Sequence, residues 1–397
     1  MKKTWLLALS AIVFIIFFVP GLYFAQYKSL WGDEIFSYVA NISQPSYRQI
    51  LLGKINEGNV SPLFYLIQKA ICDVAHYQPP ASWLGNPGTW TLPSDPFTRI
   101  FLRINPLFFM SMSAVLIFYY FSRFHSWGMG LWSMLLMSSS YMTWVYGFES
   151  RHYALWVFLT TCQALLFLYI TRHPSNESSY PGLVLIHILL AFTVILSVAQ
   201  IVIVSFLLWI YCRWPLKRFV LLAILPLCIF LFYYLRTPHG YPFYFAHSFK
   251  EILAPSFTSP QMILLILYGV FLSLLYSPVK TKLSINEDEP FKKTGGVFWL
   301  FTVLMLLAAI VILGAFKMGA VKEQVGFMVS VRYFIFLVPV GIIASLVFFS
   351  DLLALFKHHQ WMQTNICIVV GGLLILNALN CQPLWIHLLF LKHQFFG

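Results

Sequence analysis

Two adjacent carboxylates, Asp33 and Glu34, stand in the stretch YKSLWGDEIFSY at residues 27–38. They follow directly on an apolar segment long enough to cross a bilayer. Neighbouring acids in an aromatic setting at a membrane surface are costly, because desolvation disfavours each charge and each carboxylate disfavours the other. Such a pair points to chemistry or ion handling, against the plainer reading of solvated loop acids. A second cluster, Phe148-Glu149-Ser150-Arg151-His152-Tyr153, has the plain reading of an ion pair joining two helices. Ionisable residues at membrane depth are expensive, so function stays open beside it. A third, Ser330-Val331-Arg332-Tyr333, reads by itself as an Arg snorkelling to head groups beside an interfacial Tyr. Together the three put two carboxylates and at least two guanidiniums at one membrane face, framed by Tyr and Trp. A carboxylate can take a proton from an incoming hydroxyl or amide, and Arg can grip a phosphate bidentately. That combination suits transfer from a lipid-linked phosphate donor, whose departing charge needs cations in a low-dielectric site.

The elements that must position these groups are membrane helices. Of the 397 residues 60% are hydrophobic and 10% charged, with 18% aromatic and a mean hydropathy of +0.79. A soluble domain carries roughly 25% charged residues, so the composition is that of an all-α polytopic membrane protein. The apolar runs are continuous, and helices satisfy their own backbone in lipid. At about 20 residues per span, the runs predict about 11 spans. The net charge of +12 is spread over many loops, which speaks for loop anchoring and anion handling and against nucleic-acid binding. Six cysteines without CxxC spacing, most in apolar segments, indicate neither a zinc site nor a disulfide framework.

Lys2 and Lys3 precede the first run, and bulky Tyr23 and Phe24 stand where a signal peptidase needs small residues, so residues 1–26 are expected as an uncleaved first span. With those lysines inside, Asp33 and Glu34 emerge on the outer face. Residues 27–99 then form a first outer loop with an amphipathic stretch (about 34–55), a short helix (about 61–77) expected at the interface, and a Pro/Trp-rich segment. Spans are expected near 100–121, 127–146 and 153–171. The run 180–212 predicts two short helices with a tip near Gln200. A span follows near 219–235, then an outer aromatic loop at 236–260, and further spans end near Lys317, begin at Arg332 and cover 364–384. The whole, 1–397, reads as one membrane domain with a core at 100–235 and C-terminal spans in 261–397. Lys/Arg counts are nearly even on the two faces. Orientation therefore rests on loop parity, which brings Asp33/Glu34, Glu149/Arg151 and Arg332 to one side. No internal repeat of the transporter kind is present.

In order, LWGDEIFSY, SPLFYL (61–66), RIFLRINPLF (99–108), FESRHYAL (148–155) and VRYFIFLVP (331–339) resemble the GT-C glycosyltransferases. The resemblance is to the family-39-like bacterial branch, related to protein O-mannosyltransferases and to lipid A aminoarabinose transferases. It covers roughly residues 1–170, with Arg332-Tyr333 as a later echo. It implies a GT-C-type bundle, a polyprenyl-phosphate sugar donor and an acceptor on the periplasmic face of a bacterial inner membrane. It also implies an inverting single displacement. By the resemblance, Asp33 is the catalytic base and Glu34 its partner, raising its basicity. Glu149 and Arg151 form the second-loop element near the donor phosphate, and Arg332 joins Arg151 in holding that phosphate. Tyr38, His152, Tyr153 and Tyr333 are supporting candidates, and Trp31, Tyr38 or the aromatics at 236–247 could stack on the sugar. The family writes His-Pro-Pro-Leu where this chain has Val60-Ser61-Pro62-Leu63, so that His is missing and His152 or His239 would have to act in its place. Loops 77–98 and 236–260 are expected to recognise the acceptor. No cofactor is indicated; two acids and a phosphate can hold a divalent cation without requiring one. A transporter or flippase for an anionic lipid-linked sugar, and a non-catalytic scaffold, remain the alternatives.

Overall fold

The computed structural model describes residues 3–78, 83, 95–174, 176, 178–237, 290–322, 331–355 and 360–379. Among them the chain is helix and loop without a strand. The helices are α1 (Lys3–Tyr27), α2 (Gly32–Tyr38), α3 (Tyr47–Leu51), α4 (Leu63–Val74), α5 (Pro96–Phe124), α6 (Trp127–Ser138), α7 (Tyr141–Tyr146), α8 (Tyr153–Arg172), α9 (Ser179–Thr193), α10 (Val198–Tyr211), α11 (Leu216–Tyr234), α12 (Pro290–Lys322), α13 (Leu337–Leu355) and α14 (Gln360–Leu379). Five of them, α1, α5, α8, α11 and the Gly295–Ala315 part of α12, are long and apolar enough to cross a membrane. Parts of α9 to α10 and of α13 are apolar but shorter. This is a helical membrane protein. The stretch 261–279, where one of the expected spans falls, lies outside the described residues.

Helix α8 is the centre. Its apolar window is 78% buried against 28% for α1 and 22% for α11, so α8 is walled in by protein while the other two present most of their surface outward. It packs on α5, α9, α12 and α13. Helix α1 runs along α5, and Gly21 permits that approach: a Cβ there would collide with the Leu107 side chain. Asp95 starts α5 by accepting from the backbone N–H groups of Phe97 and Thr98 at 3.0 Å each, with Pro96 in the first turn, where its missing N–H costs nothing.

Two proline positions show how polar side chains serve the helices. Pro106 cannot donate to the Leu102 carbonyl four residues earlier, and the buried Gln68 of α4 donates to that carbonyl instead, at 3.4 Å. Pro226 leaves the Leu222 carbonyl in the same position, and His187 Nδ1 of α9 lies 3.0 Å from it. With water scarce at that depth, each carbonyl needs such a partner.

The expected single helix at 127–146 is broken. Ser138 and Ser139 turn their hydroxyls back to the Leu135 and Leu136 carbonyls at 3.0 Å each, a local bond that competes with helix continuation. The Ser138 carbonyl so released accepts from the Trp144 indole at 2.6 Å. The break in 180–212 comes at Val194–Ser197 and not at Gln200. Val194 is extended, and Asn59 bridges the gap, donating to the Thr193 carbonyl (2.9 Å) and accepting from the Ile195 N–H (3.2 Å). Gln200 sits inside α10, bonded to Thr160 of α8 at 3.2 Å. The amphipathic stretch resolves into α2, a π-helical turn (Val39–Ser43) and α3, and the short helix expected at 61–77 is α4. At 12 residues α4 is about 18 Å long, too short to cross.

Candidate functional site

The C-terminal end of α1 and the N-terminal ends of α5, α8 and α13 meet at a cluster of eight charged side chains. Glu34 is its buried keel. With no exposed side-chain surface, it accepts from Arg103 Nε at 2.9 Å and Arg103 Nη2 at 2.5 Å, and also from the backbone N–H groups of Ser150 (2.8 Å) and Trp31 (3.3 Å). Arg103, equally buried, donates further to the carbonyls of Ala25 (3.1 Å), Ser29 (2.9 Å) and Lys28. These are the last carbonyls of α1 and the turn beyond it, which have no partner within the helix. One guanidinium thus joins α5 to the end of α1, and Glu34 joins both to the 148–152 turn. Glu34 is turned to Arg103, which gives it a holding part where a partner to the base is expected.

Asp33 faces the other way. Its Oδ2 lies 2.7 Å from Arg332 Nη2 and 3.2 Å from Arg151 Nη1. Arg151 also reaches Glu57 Oε1 through Nη2 at 2.7 Å, and Glu57 Oε2 accepts from Ser37 (3.0 Å) and Asn41 (3.2 Å). The π-helical turn after α2 follows Ser37 closely enough that Ser37 and Asn41, four residues apart, address the same oxygen. Arg332 lies over the Trp31 ring at 4.6 Å and near the rings of Tyr153 (5.7 Å) and Tyr333 (5.8 Å). Of the four carboxylates here, Asp33 keeps 42% of its side chain exposed, against 12% for Glu57, 3% for Glu149 and none for Glu34. Asp33 is the one that a second molecule can touch.

Glu149 pairs with Lys28 at 3.3 Å through Oε1, and Lys28 also donates to the Val145 carbonyl. Phe148 lies 5.2 Å from Lys28 and 5.7 Å from Arg103, its ring face serving two cations. The second oxygen of Glu149 is buried without a hydrogen-bond partner. Burial pushes its carboxyl up to about 7, with Lys28 pulling the other way. Beside it His152 is buried with neither ring nitrogen bonded, and burial, then Arg151 and Arg332, hold its pKa well below the ordinary 6.5. It is a neutral imidazole. Arg332 Nε and Nη1, Arg151 Nε and the Tyr153 hydroxyl are likewise buried and unpartnered. These seven atoms, three of them guanidinium nitrogens, are thus buried polar groups without a hydrogen-bond partner.

The structure brings Asp33, Glu34, Glu149, Arg151, His152, Tyr153, Arg332 and Tyr333 to one end of the bundle. Tyr38 is apart: it is 1% exposed and packed on Tyr77 and Trp83, and burial raises its pKa. It cannot stack on a sugar from there. Val60, at the position of the missing His, is fully buried. His239, most of loop 77–98 and nearly all of 236–260 lie outside the described residues. Three members of the cluster were not singled out from the sequence: Lys28, Glu57 and Arg103. An Arg inside an otherwise apolar span is the signal that marks Arg103; Lys28 and Glu57 carry no local signal. Among the described residues no group of three or more His, Cys, Asp or Glu could hold a metal ion. The donor set around Asp33 is cationic, which suits an anion and does not fit a divalent cation.

At the opposite ends of α5, α8 and α13, Arg172 Nη1 lies 2.7 Å from His125 Nε2, and His125 Nδ1 lies 2.6 Å from Ser350 Oγ. Burial, reinforced by Arg172, lowers the His125 pKa to about 3, so its Nε2 accepts from the guanidinium and Nδ1–H donates to the serine. A cavity of about 320 Å³ lined by Met129, Trp132, Phe349, Leu353 and Ile368 lies at this same end. It is apolar and remote from the charged cluster.

Comparison with protein-family models, curated proteins and solved structures finds no match for this chain. The functional reading rests on the geometry of the cluster and on the motifs that compose it.

Proposed function

We propose that the protein is a glycosyltransferase that moves a sugar from a polyprenyl-phosphate donor to an acceptor on the periplasmic side of a bacterial inner membrane. The observation that carries this reading is the combination at Asp33: the most exposed carboxylate of the cluster, held between two guanidiniums where the ends of α1, α5, α8 and α13 meet. In this reading Asp33 takes the proton from the acceptor hydroxyl or amide as its oxygen or nitrogen attacks the anomeric carbon. The bond from that carbon to the phosphate oxygen breaks, and the polyprenyl phosphate leaves with the electron pair. Arg332 and Arg151 meet the charge that develops on the leaving oxygen, in a site partly screened from water. Trp31, 36% exposed and already beneath Arg332, is the aromatic surface nearest to the chemistry. Glu34 holds Arg103 and the 148–152 turn in place, and takes no proton. The finer architecture that goes with this reading is a GT-C-type bundle of about 11 spans with the first outer region lying over the site.

The test uses purified protein in lipid nanodiscs with a panel of radiolabelled polyprenyl-phosphate sugars. Asp33→Asn should bind the donor saturably, as wild type does, while release of sugar from the lipid falls by about 10²–10⁴-fold, the usual loss on removing a general base. Binding of no member of the panel would overturn the donor assignment. Translocation of the lipid by both proteins without loss of sugar would identify a flippase in its place.

A further inference from the structure

The two guanidiniums on Asp33 are not equivalent. Arg151 is held by two carboxylates: Nη2 is 2.7 Å from Glu57 Oε1, and Nη1 is 3.2 Å from Asp33 Oδ2 and 3.5 Å from the Asp33 carbonyl. Among the described residues Arg332 has one carboxylate, Asp33 at 2.7 Å, and its Nε and Nη1 have no hydrogen-bond partner. Glu57 is itself fixed. Its other oxygen accepts from Ser37 and Asn41, and Asn41 holds the loop by accepting from the Asn56 N–H at 3.0 Å. An anion that took Arg151 would have to displace two carboxylates, whereas one that took Arg332 would displace a single one and find two more donors waiting.

We propose that Glu57 is a positioning residue, which clamps Arg151 onto Asp33 so that an incoming phosphate draws Arg332, and not Arg151, away from Asp33. This rests on the reading of the site as a polyprenyl-phosphate site, and it divides the labour between the two arginines. Arg332 is the exchangeable ligand that contacts the phosphate, and Arg151 is the strut, which meets the leaving charge only through its field from its place between Asp33 and Glu57. Departure of Arg332 takes the nearer cation off Asp33 Oδ2, so the already part-exposed carboxylate is released to accept a proton only once the donor is seated. Donor binding then precedes productive acceptor binding.

The experiment measures binding of a sugar-free polyprenyl phosphate, and turnover of the sugar donor, in nanodiscs for wild type, Glu57→Gln, and the double variant Glu57→Gln/Arg151→Gln. Glu57→Gln frees Arg151 as a second phosphate ligand, so affinity should rise roughly five- to tenfold. Turnover should fall at least about tenfold, because Asp33 loses its strut. A merely damaged site would lose both. The double variant removes both buried partners together, which leaves no uncompensated charge, and should cancel the gain in affinity. Affinity in Glu57→Gln that is unchanged or weaker overturns the assignment. So does a gain that survives in the double variant, which would reflect the general field and not Arg151. Absence of saturable binding by wild type would instead overturn the polyprenyl-phosphate reading, and this assignment with it.

Discussion

Replacing Glu34 by Gln keeps the shape of the side chain and removes the one anion that faces Arg103. Both side chains are wholly buried, and Arg103 would be left with the backbone carbonyls of Ala25, Lys28 and Ser29 as its acceptors. Four hydrogen bonds end on Glu34, three of them at 2.9 Å or shorter. Summing charged hydrogen bonds at about 1.5–3 kcal/mol each overstates the effect, because the unfolded chain recovers some of these bonds elsewhere. The better guide is the measured penalty for breaking a buried pair from one side, about 3–5 kcal/mol. The assay is equilibrium unfolding in mixed micelles of wild type, Glu34→Gln, Arg103→Met and the double variant. The single variants should each lose about 3 kcal/mol or more, and the double should fall short of their sum by about 2 kcal/mol. The exposed pair Lys69–Asp73, at 3.9 Å with the Asp 51% exposed, serves as the internal comparison and should couple by less than about 0.5 kcal/mol. A coupling between Glu34 and Arg103 no larger than that of the exposed pair would refute the reasoning.

Two further expectations concern stability. Glu149 holds its proton to about pH 7 in the folded protein against an ordinary 4.5. The folded state therefore binds more protons between those values, and stability should fall as pH rises from about 4.5 to 7, then level. The fall is about 3 kcal/mol at most, and unfolding measured from pH 5 to 8.5 should show this slope in wild type and lose it in Glu149→Gln. Gln68→Leu leaves the Leu102 carbonyl and the Asn105 amide, which donates to Gln68 at 3.1 Å, without partners. It should cost about 1–3 kcal/mol per orphaned group. Restoring a backbone N–H with Pro106→Ala should shrink that cost, and an equal cost in both backgrounds would show that the carbonyl is served in another way.

Much of the architecture was written in local patterns. The expected spans near 1–26, 100–121 and 153–171 correspond to α1, α5 and α8, because each is a continuous apolar run bounded by charge or proline. What escaped was set by contacts over long separations. The break between α9 and α10 was expected, but its place at Val194 and not at Gln200 depends on Asn59, 134 residues from Thr193, and nothing near Val194 announces it. The break between α6 and α7 was locally legible in three successive serines, two of whose hydroxyls take carbonyls of the preceding turn, but the hydrophobic run outweighed them. Loop parity placed Asp33, Arg151 and Arg332 on one face, and they are in contact. Their pairing was beyond reach: Arg103 meets Glu34 across 69 residues and Arg151 meets Glu57 across 94. Adjacency in sequence made Asp33 and Glu34 look like one functional pair. On the first turn of α2 they point to opposite partners, one to a buried guanidinium and one to the open side.

The order in which the charges occur along the chain governs how the cluster can be built. Synthesis delivers Asp33, Glu34 and Glu57 first, and their cations arrive later. Arg103 closes on Glu34 after 69 residues, Arg151 on Glu57 after 94, and Arg332 on Asp33 only after 299. The deeply buried pair can therefore lock while most of the chain is still unmade, and the exposed one waits for nearly the last helices to enter the membrane. A nascent chain has its buried Glu34–Arg103 pair early and the Asp33–Arg332 contact late, so the charge cluster is completed only near the end of synthesis.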